Sequence, residues 1–444
     1  WVGQVGDDAF FEACDRYGIV VWQDFWLANP WDGPNPDDNA MFLNNVDDFV
    51  RRIRNHPSIG LYVGRNEGFP PDVIENGIRR SLAELQPGSY YIPSSADDGV
   101  SGHGPYRVMP TKYYFTDRAT LKLHSELGMP NVVTVDSLRA MMAESDLWPQ
   151  GRMWGVHDFT MHGAQTGQVF DENIDSNYGG ANNIVDWDEL AQFVNYNGYR
   201  AMFEAQSQHR MGLLIWMSHP AWTSLTWQTY DYFFEPTAAY FGCKKASEPL
   251  HIQWNPLTDN VEVVNYSGGN HKGLSVHVEI RNMDGEVQWE KTASVNSNED
   301  SVETPIKMEY PSGASPVQFI RLRLTDGNRV VSTNFYMRGI DGAENYRAIR
   351  NLPKAKVEAE TKVERDGKRW RLITELHNAS DTPALMVKVK AVRETTGDRI
   401  LPVLYSDNYL ALMPGERQTI ITDVDDADTR GEKPRIVVEG FNVE

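Results

Sequence analysis

The sequence predicts a multidomain protein in which an α/β domain at residues 1–247 precedes two Ig-like β-sandwiches, at residues 248–345 and 346–444. Up to residue 247, short apolar runs alternate with segments of helical periodicity, a pattern typical of parallel strands joined by crossover helices. After residue 248, strands of alternating polarity follow one another, separated by glycine-containing turns. The length of 444 residues is enough for two to four domains.

Within the α/β domain, the predicted strands are 19–25, 59–63, 90–95, 121–126 and 211–219. Amphipathic helical segments separate them, the longest over 186–210, where Asp186 and Glu189 have the spacing of a capping box. A closed barrel and an open sheet both satisfy this alternation. Because no glycine-rich phosphate-binding fingerprint follows any of these strands, a nucleotide-binding open sheet is disfavoured.

Composition and charge exclude several function classes. The net charge of −20 argues against nucleic acid or an anionic membrane as a partner. No apolar run is long enough for a membrane span. Cys14 and Cys243 are expected to be reduced and buried, without metal-ligand spacing. We expect no cofactor and no metal; His157 and His162, five residues apart, are interpreted as structural or surface residues.

Polar side chains follow several of the predicted strands. They are Asp24, Asn66 with Glu67, Glu126, and Trp216 with His219. In a (β/α)₈ barrel the chemistry lies at the carboxyl ends of the strands, and a pair of carboxylates across a sugar is what glycoside hydrolysis requires. Glu67 and Glu126 are therefore candidates for such a pair. Taken alone, each is also explained by a helix N-cap or an ion pair.

The segment RNHPSIGLYVGRNE, residues 54–67, resembles the acid/base segment of glycoside hydrolase family 2. Residues 54–58 and Asn66-Glu67 match that pattern, whereas Gly60 and Tyr62 replace the usual aliphatic residue and Trp. The stretches at 10–26, 214–255 and 401–416 are similar to the exo-β-D-glucosaminidase, β-mannosidase and mannosylglycoprotein endo-β-mannosidase group of that family. The resemblance therefore covers nearly the whole chain.

This resemblance implies a (β/α)₈ TIM-barrel, incomplete at its N-terminus and entered at about its third strand, followed by the two Ig-like sandwiches. It also implies a retaining β-glycoside hydrolase that works by double displacement. Glu67 would be the acid/base, and Glu126, within HSELGMPNVVTVDSLRAMM, would be the nucleophile. Retention of configuration predicts that the two carboxyl groups lie about 5–5.5 Å apart.

The resemblance further implies sugar-binding roles for a set of polar and aromatic side chains. They are Asn66, Trp22, Asp24, Trp216, Trp222 and Tyr113. Asn66 would bind a sugar hydroxyl, Trp216 would form the floor under the −1 sugar, and Tyr113 would hydrogen-bond the nucleophile. Core packing is the alternative for the tryptophans, and a buried polar strut is the alternative for Asp24.

The expected partner is an oligosaccharide or glycan. Exo-action on β-mannosides is the first prediction because residues 1–3, W-x-G, resemble the mannosidase pattern; β-glucosaminides come second. A non-catalytic carbohydrate-binding homologue is the alternative of another class. The complete protein is expected to carry sugar-binding-like and Ig-like parts and the first barrel strands, in the same chain or a partner chain. The compartment stays open, with a periplasmic or secreted location included.

Overall fold

The computed structural model describes residues 5–97, 99–159, 167–218, 220–225 and 227–444, which fall into two compact units. The first unit extends to residue 104 and also includes residues 121–127 and 211–215. The second unit comprises residues 105–120, 128–210 and 216–444. Trp1, His162 and His219, which figure in the sequence analysis, lie outside the described residues.

The sheets of the first unit consist of parallel strands. The strands are β1 (Val21–Asp24), β2 (Ile59–Arg65), β3 (Tyr91–Ser94), β4 (Val100–Ser101), β5 (Leu123–Leu127) and β6 (Leu213–Ile215). They pair in the orders β1-β2-β3 and β4-β5-β6. This pairing agrees with the strand–helix alternation of the sequence. It also brings the carboxyl ends of the strands in each sheet to one edge, where a site can form.

Three helices of the first unit precede or connect its strands: α1 (Asp8–Tyr17), α2 (Asn39–Ile53) and α3 (Asp72–Leu85). Local sequence determines where two of them begin, because the side chains of Asp7 and Asp38 accept hydrogen bonds from the backbone N–H groups of Phe10 and Met41. Gly18, with φ at 68°, ends α1 in the left-handed conformation that glycine adopts without strain.

The apolar faces of these helices pack with residues of β1 and β2 in one core. Its most buried members include Phe11, Phe25, Leu27, Val46, Val50, Ile53, Tyr62, Ile74 and Ile78. Tyr62, where the family resemblance leads one to expect Trp, stacks on Phe25 with ring centroids 5.7 Å apart. Its hydroxyl donates a hydrogen bond to Gln86 at 2.7 Å, so the polar group that this departure introduces is paired.

The helices of the second unit are mostly short. They are α4 (Thr111–Tyr114), α5 (Asp117–Thr120), α6 (Val135–Met141), α7 (Glu144–Leu147), α8 (Arg152–Val156), α9 (Gly167–Tyr178), α10 (Ile184–Glu204) and α11 (Ala238–Ala246). Helix α10 begins two residues earlier than predicted, because Asn183 is its N-cap. The predicted capping box is therefore wrong; Asp186 instead accepts a hydrogen bond from the backbone N–H of Asn182. None of the helices within the described ranges has the length and apolar character that crossing a bilayer requires.

The first sandwich has two antiparallel sheets over one core. Its strands are β7 (Leu250–Asn255), β8 (Asn260–Asn265), β9 (His271–Arg281), β10 (Val287–Ser297), β11 (Ser301–Lys307), β12 (Val317–Asp326) and β13 (Arg329–Gly339). They pair in the orders β10-β9-β12-β13 and β11-β8-β7. Residues from both sheets, such as Val261 and Val278, share one hydrophobic cluster, as expected for face-to-face packing.

The second sandwich follows a 3₁₀ turn at Arg347–Asn351. Its strands are β14 (Val357–Asp366), β15 (Arg369–Asn378), β16 (Ala384–Arg393), β17 (Leu404–Tyr405), β18 (Leu410–Leu412), β19 (Arg417–Asp425) and β20 (Pro434–Glu439). They pair in the orders β14-β15-β19-β17 and β18-β16-β20. Along β15 every second residue from Leu372 to Leu376 is buried, which is the period of a strand with one face in a core.

A buried polar cluster joins α10 to the first sandwich. Glu204, the last residue of α10, accepts hydrogen bonds from Asn334 Nδ2 and the Tyr336 hydroxyl, each at 2.8 Å. The ring of His251 lies between two carboxylates. Its Nε2 is 3.2 Å from Glu204 Oε1, and its Nδ1 is 3.0 Å from Glu248 Oε2. Because both ring nitrogens face carboxylate oxygens, the doubly protonated imidazolium satisfies both contacts.

The pKa values in this cluster follow from those contacts. Burial alone would lower the pKa of His251, but hydrogen bonds to Glu204 and Glu248 outweigh burial and raise it above 6.5. Burial opposes ionisation of Glu248 as well, yet His251 and Lys245 lower its pKa to about 2. A histidine whose pKa is higher in the folded than in the unfolded state stabilises the fold fully at pH values below its unfolded-state pKa. That stabilisation is lost as the pH rises through its folded-state pKa. The histidine contribution is therefore complete below pH 6.5.

Replacing His251 with Gln is expected to lower the unfolding free energy of this sandwich by about 3 kcal/mol at pH 6, because the buried carboxylate of Glu204 and the partly buried one of Glu248 each lose a cationic contact. The loss should shrink as pH rises through the raised pKa of His251. Urea unfolding followed by tryptophan fluorescence from pH 5.5 to pH 9 measures it. His209→Gln, which removes a partly exposed contact with Asp117, is the control and should have little effect. A His251→Gln loss of equal size at every pH would contradict the argument.

Candidate active site

The carboxyl end of β1 carries a buried acid. Asp24 is 5% exposed, and the indole Nε1 of Trp22 donates a hydrogen bond to its Oδ1 at 2.7 Å. Burial raises the pKa of Asp24, and the hydrogen bond from Trp22 opposes that rise in part. The structure thus brings these two predicted sugar-binding residues into contact with each other at the end of the strand.

Arg65, the last residue of β2, holds the loop that follows β1. Its side chain is 4% exposed. Nε donates to the Ala28 carbonyl oxygen at 2.8 Å, Nη1 to Asn35 Oδ1 at 2.7 Å, and Nη2 to the Gly33 carbonyl oxygen at 3.0 Å. Because the planar guanidinium reaches three acceptors at once, a lysine could not replace it. Arg65 therefore fixes residues 28–35 beside the end of β2.

Ser95, the first residue after β3, connects the segments that carry the two candidate glutamates. Its Oγ accepts a hydrogen bond from the backbone N–H of Glu67 at 2.8 Å and donates to Asn66 Oδ1 at 3.0 Å. The hydroxyl of Ser125, in β5, donates to the Ser95 carbonyl oxygen at 2.5 Å. Glu126 follows Ser125 directly in the chain, so both glutamate-bearing segments meet at Ser95.

Glu67 has a constrained position. Its backbone φ is 48°, in the left-handed region that costs a residue other than glycine about 1 kcal/mol or more. Its side chain is 9% exposed, and Oε1 lies 2.9 Å from Nδ1 of His103. Pro71 is the N-cap residue of α3 and the helix has no side-chain cap, so Glu67 does not serve as the N-cap. The contact with His103 is an ion pair only when the imidazole is doubly protonated and Glu67 is ionised.

Glu126 is the fourth residue of β5 and is partly exposed. Because it lies inside a strand, the helix N-cap interpretation does not apply to it. Its neighbours Ser125 and His124 are buried. Burial lowers the pKa of His124, so this ring is neutral over a wider pH range than an exposed histidine. The strand thus presents one partly exposed carboxylate between buried residues.

Trp216 belongs to the second unit and follows β6 directly. Its ring centroid lies 6.4 Å from that of Tyr106 and 5.9 Å from that of Trp227. The rings of Tyr106 and Trp227 stack on each other with centroids 5.4 Å apart. Trp227 is 5% exposed, whereas Trp216 keeps part of its surface open to solvent. Trp216 is thus supported by an aromatic cluster, and its role beneath a sugar stays a prediction.

Trp222 and Tyr113 also belong to the second unit. Trp222 is 46% exposed and stacks on His157 with ring centroids 6.1 Å apart. The Nδ1 of His157 lies 2.5 Å from the Thr223 carbonyl oxygen, so this ring is tied to the loop that carries Trp222. Tyr113 is partly buried in α4. The predicted sugar contact of Trp222 and the predicted bond from Tyr113 to the nucleophile stay predictions.

One group of metal-ligating side chains occurs among the described residues, on the first sandwich. Ligand atoms of His277, Glu279 and Glu290 all lie within 4.8 Å of one another. Glu290 lies directly opposite Glu279 in the pairing of β10 with β9. His277 and Glu279 are two positions apart on β9, and the pairing with β10 adds Glu290, which the sequence alone did not indicate.

Sequence reasoning missed the residues that hold the candidate acid in place. Arg65 lies within the segment 54–67, but no role was predicted for it. Ser95 and His103 lie 28 and 36 positions beyond Glu67, where no periodicity indicates them. Gly64 did carry a signal, because glycine inside a buried strand often marks close backbone approach. A Cβ there would lie 2.8 Å from the Pro93 carbonyl oxygen, so Gly64 allows β3 to lie close to β2.

Ser95→Ala is expected to lower the unfolding free energy of the first unit by about 1–3 kcal/mol, because it removes the hydroxyl that bonds to the Glu67 N–H and to the Asn66 amide oxygen. Ser81→Ala is the matched control, since the buried Ser81 hydroxyl has no hydrogen-bond partner among the described residues. Urea unfolding of both variants measures the difference. Equal stability of the two variants would show that the Ser95 contacts contribute nothing.

Comparison with known proteins gives relatives along the whole chain. Residues 334–443 match the family model of the exo-beta-D-glucosaminidase Ig-fold domain. A mannosylglycoprotein endo-beta-mannosidase of Lilium longiflorum is 27% identical over 100% of this chain and 59% of its own length. An exo-beta-D-glucosaminidase of Streptomyces avermitilis is 28% identical over 99% of this chain and 55% of its own length. The chain therefore spans little more than half the length of these relatives.

The structural comparison gives the same result. The crystal structure of Amycolatopsis orientalis exo-chitosanase CsxA superimposes with a TM-score of 0.90 and 25% identity, over 100% of this chain and 59% of that one. The resemblance predicted from the sequence motifs is confirmed: over its whole length the chain is similar to the exo-β-D-glucosaminidase and mannosylglycoprotein endo-β-mannosidase group of glycoside hydrolase family 2.

Proposed function

We propose that the protein containing this chain is a retaining β-glycosidase in which Glu67 is the acid/base and Glu126 the nucleophile. The observation that carries the proposal is the joint attachment of both glutamate-bearing strand ends to Ser95. Both carboxylates are partly exposed at the carboxyl ends of parallel strands, where catalytic groups of α/β enzymes occur. The names of the relatives, which are glycosidases, agree with it.

The chemistry requires one proton and two carboxylates. In the first step Glu126 attacks the anomeric carbon while protonated Glu67 gives its proton to the glycosidic oxygen, so the C–O bond breaks and the aglycone leaves neutral. In the second step Glu67, now ionised, takes a proton from water, and that water displaces Glu126. Two inversions at the anomeric carbon give overall retention. No cofactor enters this scheme.

The polar groups at the ends of β1 and β2 fit sugar recognition. Ser95 donates to Asn66 Oδ1, which orients the amide so that its Nδ2 is the group we assign to a sugar hydroxyl. Trp22 offers a partly exposed ring and Asp24 a carboxyl beside it. Trp216, Trp222 and Tyr113 keep the sugar-binding roles that the resemblance implies, as predictions.

We also propose that strands β1 to β6 are part of a (β/α)₈ barrel. The support is their parallel pairing, the helices that connect β1, β2 and β3, and the position of the polar residues at the carboxyl ends. The proposal includes closure of the six strands, with further strands, into one barrel. In an open sheet the edge strands would expose unpaired backbone groups, which favours closure.

β-Mannosides are proposed as the first substrate class, and exo-action is retained from the sequence prediction. The mannosidase-like W-x-G at residues 1–3 and the relative named an endo-β-mannosidase support a mannoside. β-Glucosaminides are the second candidate, because residues 334–443 match the glucosaminidase Ig-fold model and CsxA has a TM-score of 0.90. Hydrolysis of p-nitrophenyl β-mannoside and β-glucosaminide, assayed side by side, decides between them.

Glu67→Gln is expected to reduce kcat/KM on an unactivated glycoside by about 10²–10⁴-fold, because the amide cannot donate an acid proton. Glu126→Gln should reduce turnover of every glycoside, because the nucleophile is lost. Steady-state kinetics measure both changes on the protein that contains this chain. Glu84→Gln, an exposed glutamate on α3, is the matched control and should leave the rates unchanged. Undiminished turnover in either Glu67→Gln or Glu126→Gln would refute the corresponding role.

Retention is a separate prediction. Proton NMR during hydrolysis should detect the β-anomer of the sugar as the first product, before mutarotation, because Glu126 and then water each invert the anomeric carbon. Incubation of the isolated sugar under the same conditions is the control for mutarotation. First appearance of the α-anomer would count against Glu126 as nucleophile and favour a general base acting on water.

A further inference from the structure

The acid/base candidate has a histidine partner that no sequence motif indicated. His103 lies in the loop after β4, and its Nδ1 is 2.9 Å from Glu67 Oε1. The histidine side chain is 51% exposed and that of Glu67 is 9% exposed. The imidazole therefore lies on the solvent side of the carboxyl group, in a position to determine how the carboxyl group is presented to an incoming glycoside.

The loop that carries His103 is packed on the same turn that holds Glu67. A Cβ at Gly102 would lie 3.1 Å from the Ser95 carbonyl oxygen and 3.0 Å from the Ala96 Cβ, so this loop lies close against that turn. Ser95 in turn binds the backbone N–H of Glu67. Both partners of the contact thus rest on one short stretch of chain, which limits their relative movement.

The backbone at the contact is strained on both sides. His103 has φ at 65° and Glu67 has φ at 48°. Each is a residue other than glycine in the left-handed region, an arrangement that persists only where the surroundings impose it. Gly104 follows with φ at 71°, which glycine tolerates. The loop is therefore shaped so that the imidazole reaches the carboxyl.

The imidazole also has an aromatic neighbour, Trp31. The ring of Trp31 has its centroid 6.2 Å from that of His103 at an interplanar angle of 30°. Trp31 belongs to the loop that follows β1, the loop whose residues 28, 33 and 35 are bonded to Arg65. The histidine thus contacts both the candidate acid and a residue of an anchored loop.

We infer that His103 is a positioning residue for the proton-donating carboxyl of Glu67, an inference that rests on the proposed function. With a proton on Nδ1, His103 donates to Oε1, so the acid proton of Glu67 resides on Oε2. That proton moves from Oε2 to the glycosidic oxygen as the C–O bond breaks and Glu126 bonds to the anomeric carbon. His103 neither contacts the reacting atoms nor gains or loses a proton in this step.

The consequence is a dependence on the leaving group. A glycoside of a sugar or an alcohol needs protonation of the departing oxygen, so it needs a correctly oriented Glu67. A dinitrophenyl glycoside releases a stable phenolate, so its cleavage hardly needs proton donation from Glu67. Loss of His103 should therefore slow the first class and spare the second, whereas a general structural defect would slow both.

The test uses two substitutions matched to the backbone. His103→Gly removes the imidazole at a position where glycine adopts φ of 65° without strain. His103→Asn tolerates the same conformation and places an amide N–H near the position of Nδ1, so it keeps the donor. His209→Asn is the control for loss of a histidine elsewhere. Circular dichroism and urea unfolding establish that each variant is folded.

The measured quantity is kcat/KM, which reports the step that cleaves the glycosidic bond, for aryl glycosides of increasing leaving-group pKa. His103→Gly should lose about 10-fold on the least activated glycoside, a part of the 10²–10⁴-fold that acid catalysis supplies, and less than about 2-fold on the dinitrophenyl glycoside. His103→Asn should recover most of that loss. The plot of log kcat/KM against leaving-group pKa should be steeper for His103→Gly than for the unsubstituted protein.

If His103→Gly lowers kcat/KM equally for all substrates, or for none of them, the inference is wrong. Failure of His103→Asn to restore activity when His103→Gly shows the predicted slope would also overturn it, because the donor would then not be the active feature. Glu67→Gln, run in parallel, tests the proposed function itself. If the loss of kcat/KM in Glu67→Gln is the same for all leaving groups, Glu67 is not the acid. If Glu67→Gln shows a loss that grows with leaving-group pKa and His103→Gly does not, the proposed function is kept and the inference about His103 is wrong.

Discussion

The hydrogen bonds of Ser95 are the constraint on which the candidate site depends. A serine placed just after β3 binds the backbone of Glu67, the amide of Asn66 and the hydroxyl of Ser125, and so holds the ends of β2 and β5 near one point. Parallel pairing brings strand ends to a common edge, but it does not orient the side chains beyond them. The hydrogen bond from the Glu67 N–H to Ser95 is one contact that supports the left-handed backbone conformation of Glu67.

Around this turn, nitrogen-bearing side chains act as braces, meaning contacts that join segments distant in sequence. The guanidinium of Arg65 donates hydrogen bonds to the loop after β1, and the imidazole of His103 contacts the carboxyl group of Glu67. The second unit has a brace of the same kind, in which His251 lies between Glu204 and Glu248. Each brace joins segments far apart in sequence, so each depends on the fold being complete before its contacts form.

The strand and helix pattern, the parallel pairing and the two sandwiches could be predicted because they follow from local periodicity and turn residues. Glu67 and Glu126 could be named as candidates because they lie at the ends of predicted strands, and their catalytic roles, which come from the family resemblance, stay predictions. Ser95 and His103 could not, because their roles arise from contacts across 28 and 36 residues. The N-cap at Asn183 was missed for another reason: Asp186 and Glu189 offered an equally good local motif, and only the position of the helix end decides between them.

The central claim is that Glu126 forms the covalent bond to the sugar. A 2-deoxy-2-fluoro-β-mannosyl fluoride tests it directly, because the fluorine slows the second step and lets the glycosyl-enzyme accumulate. Proteolysis and tandem mass spectrometry then locate the added mass on the protein that contains this chain. The account predicts a single labelled site at Glu126. A label on another residue, or turnover of the reagent with no covalent adduct at any time, would contradict it.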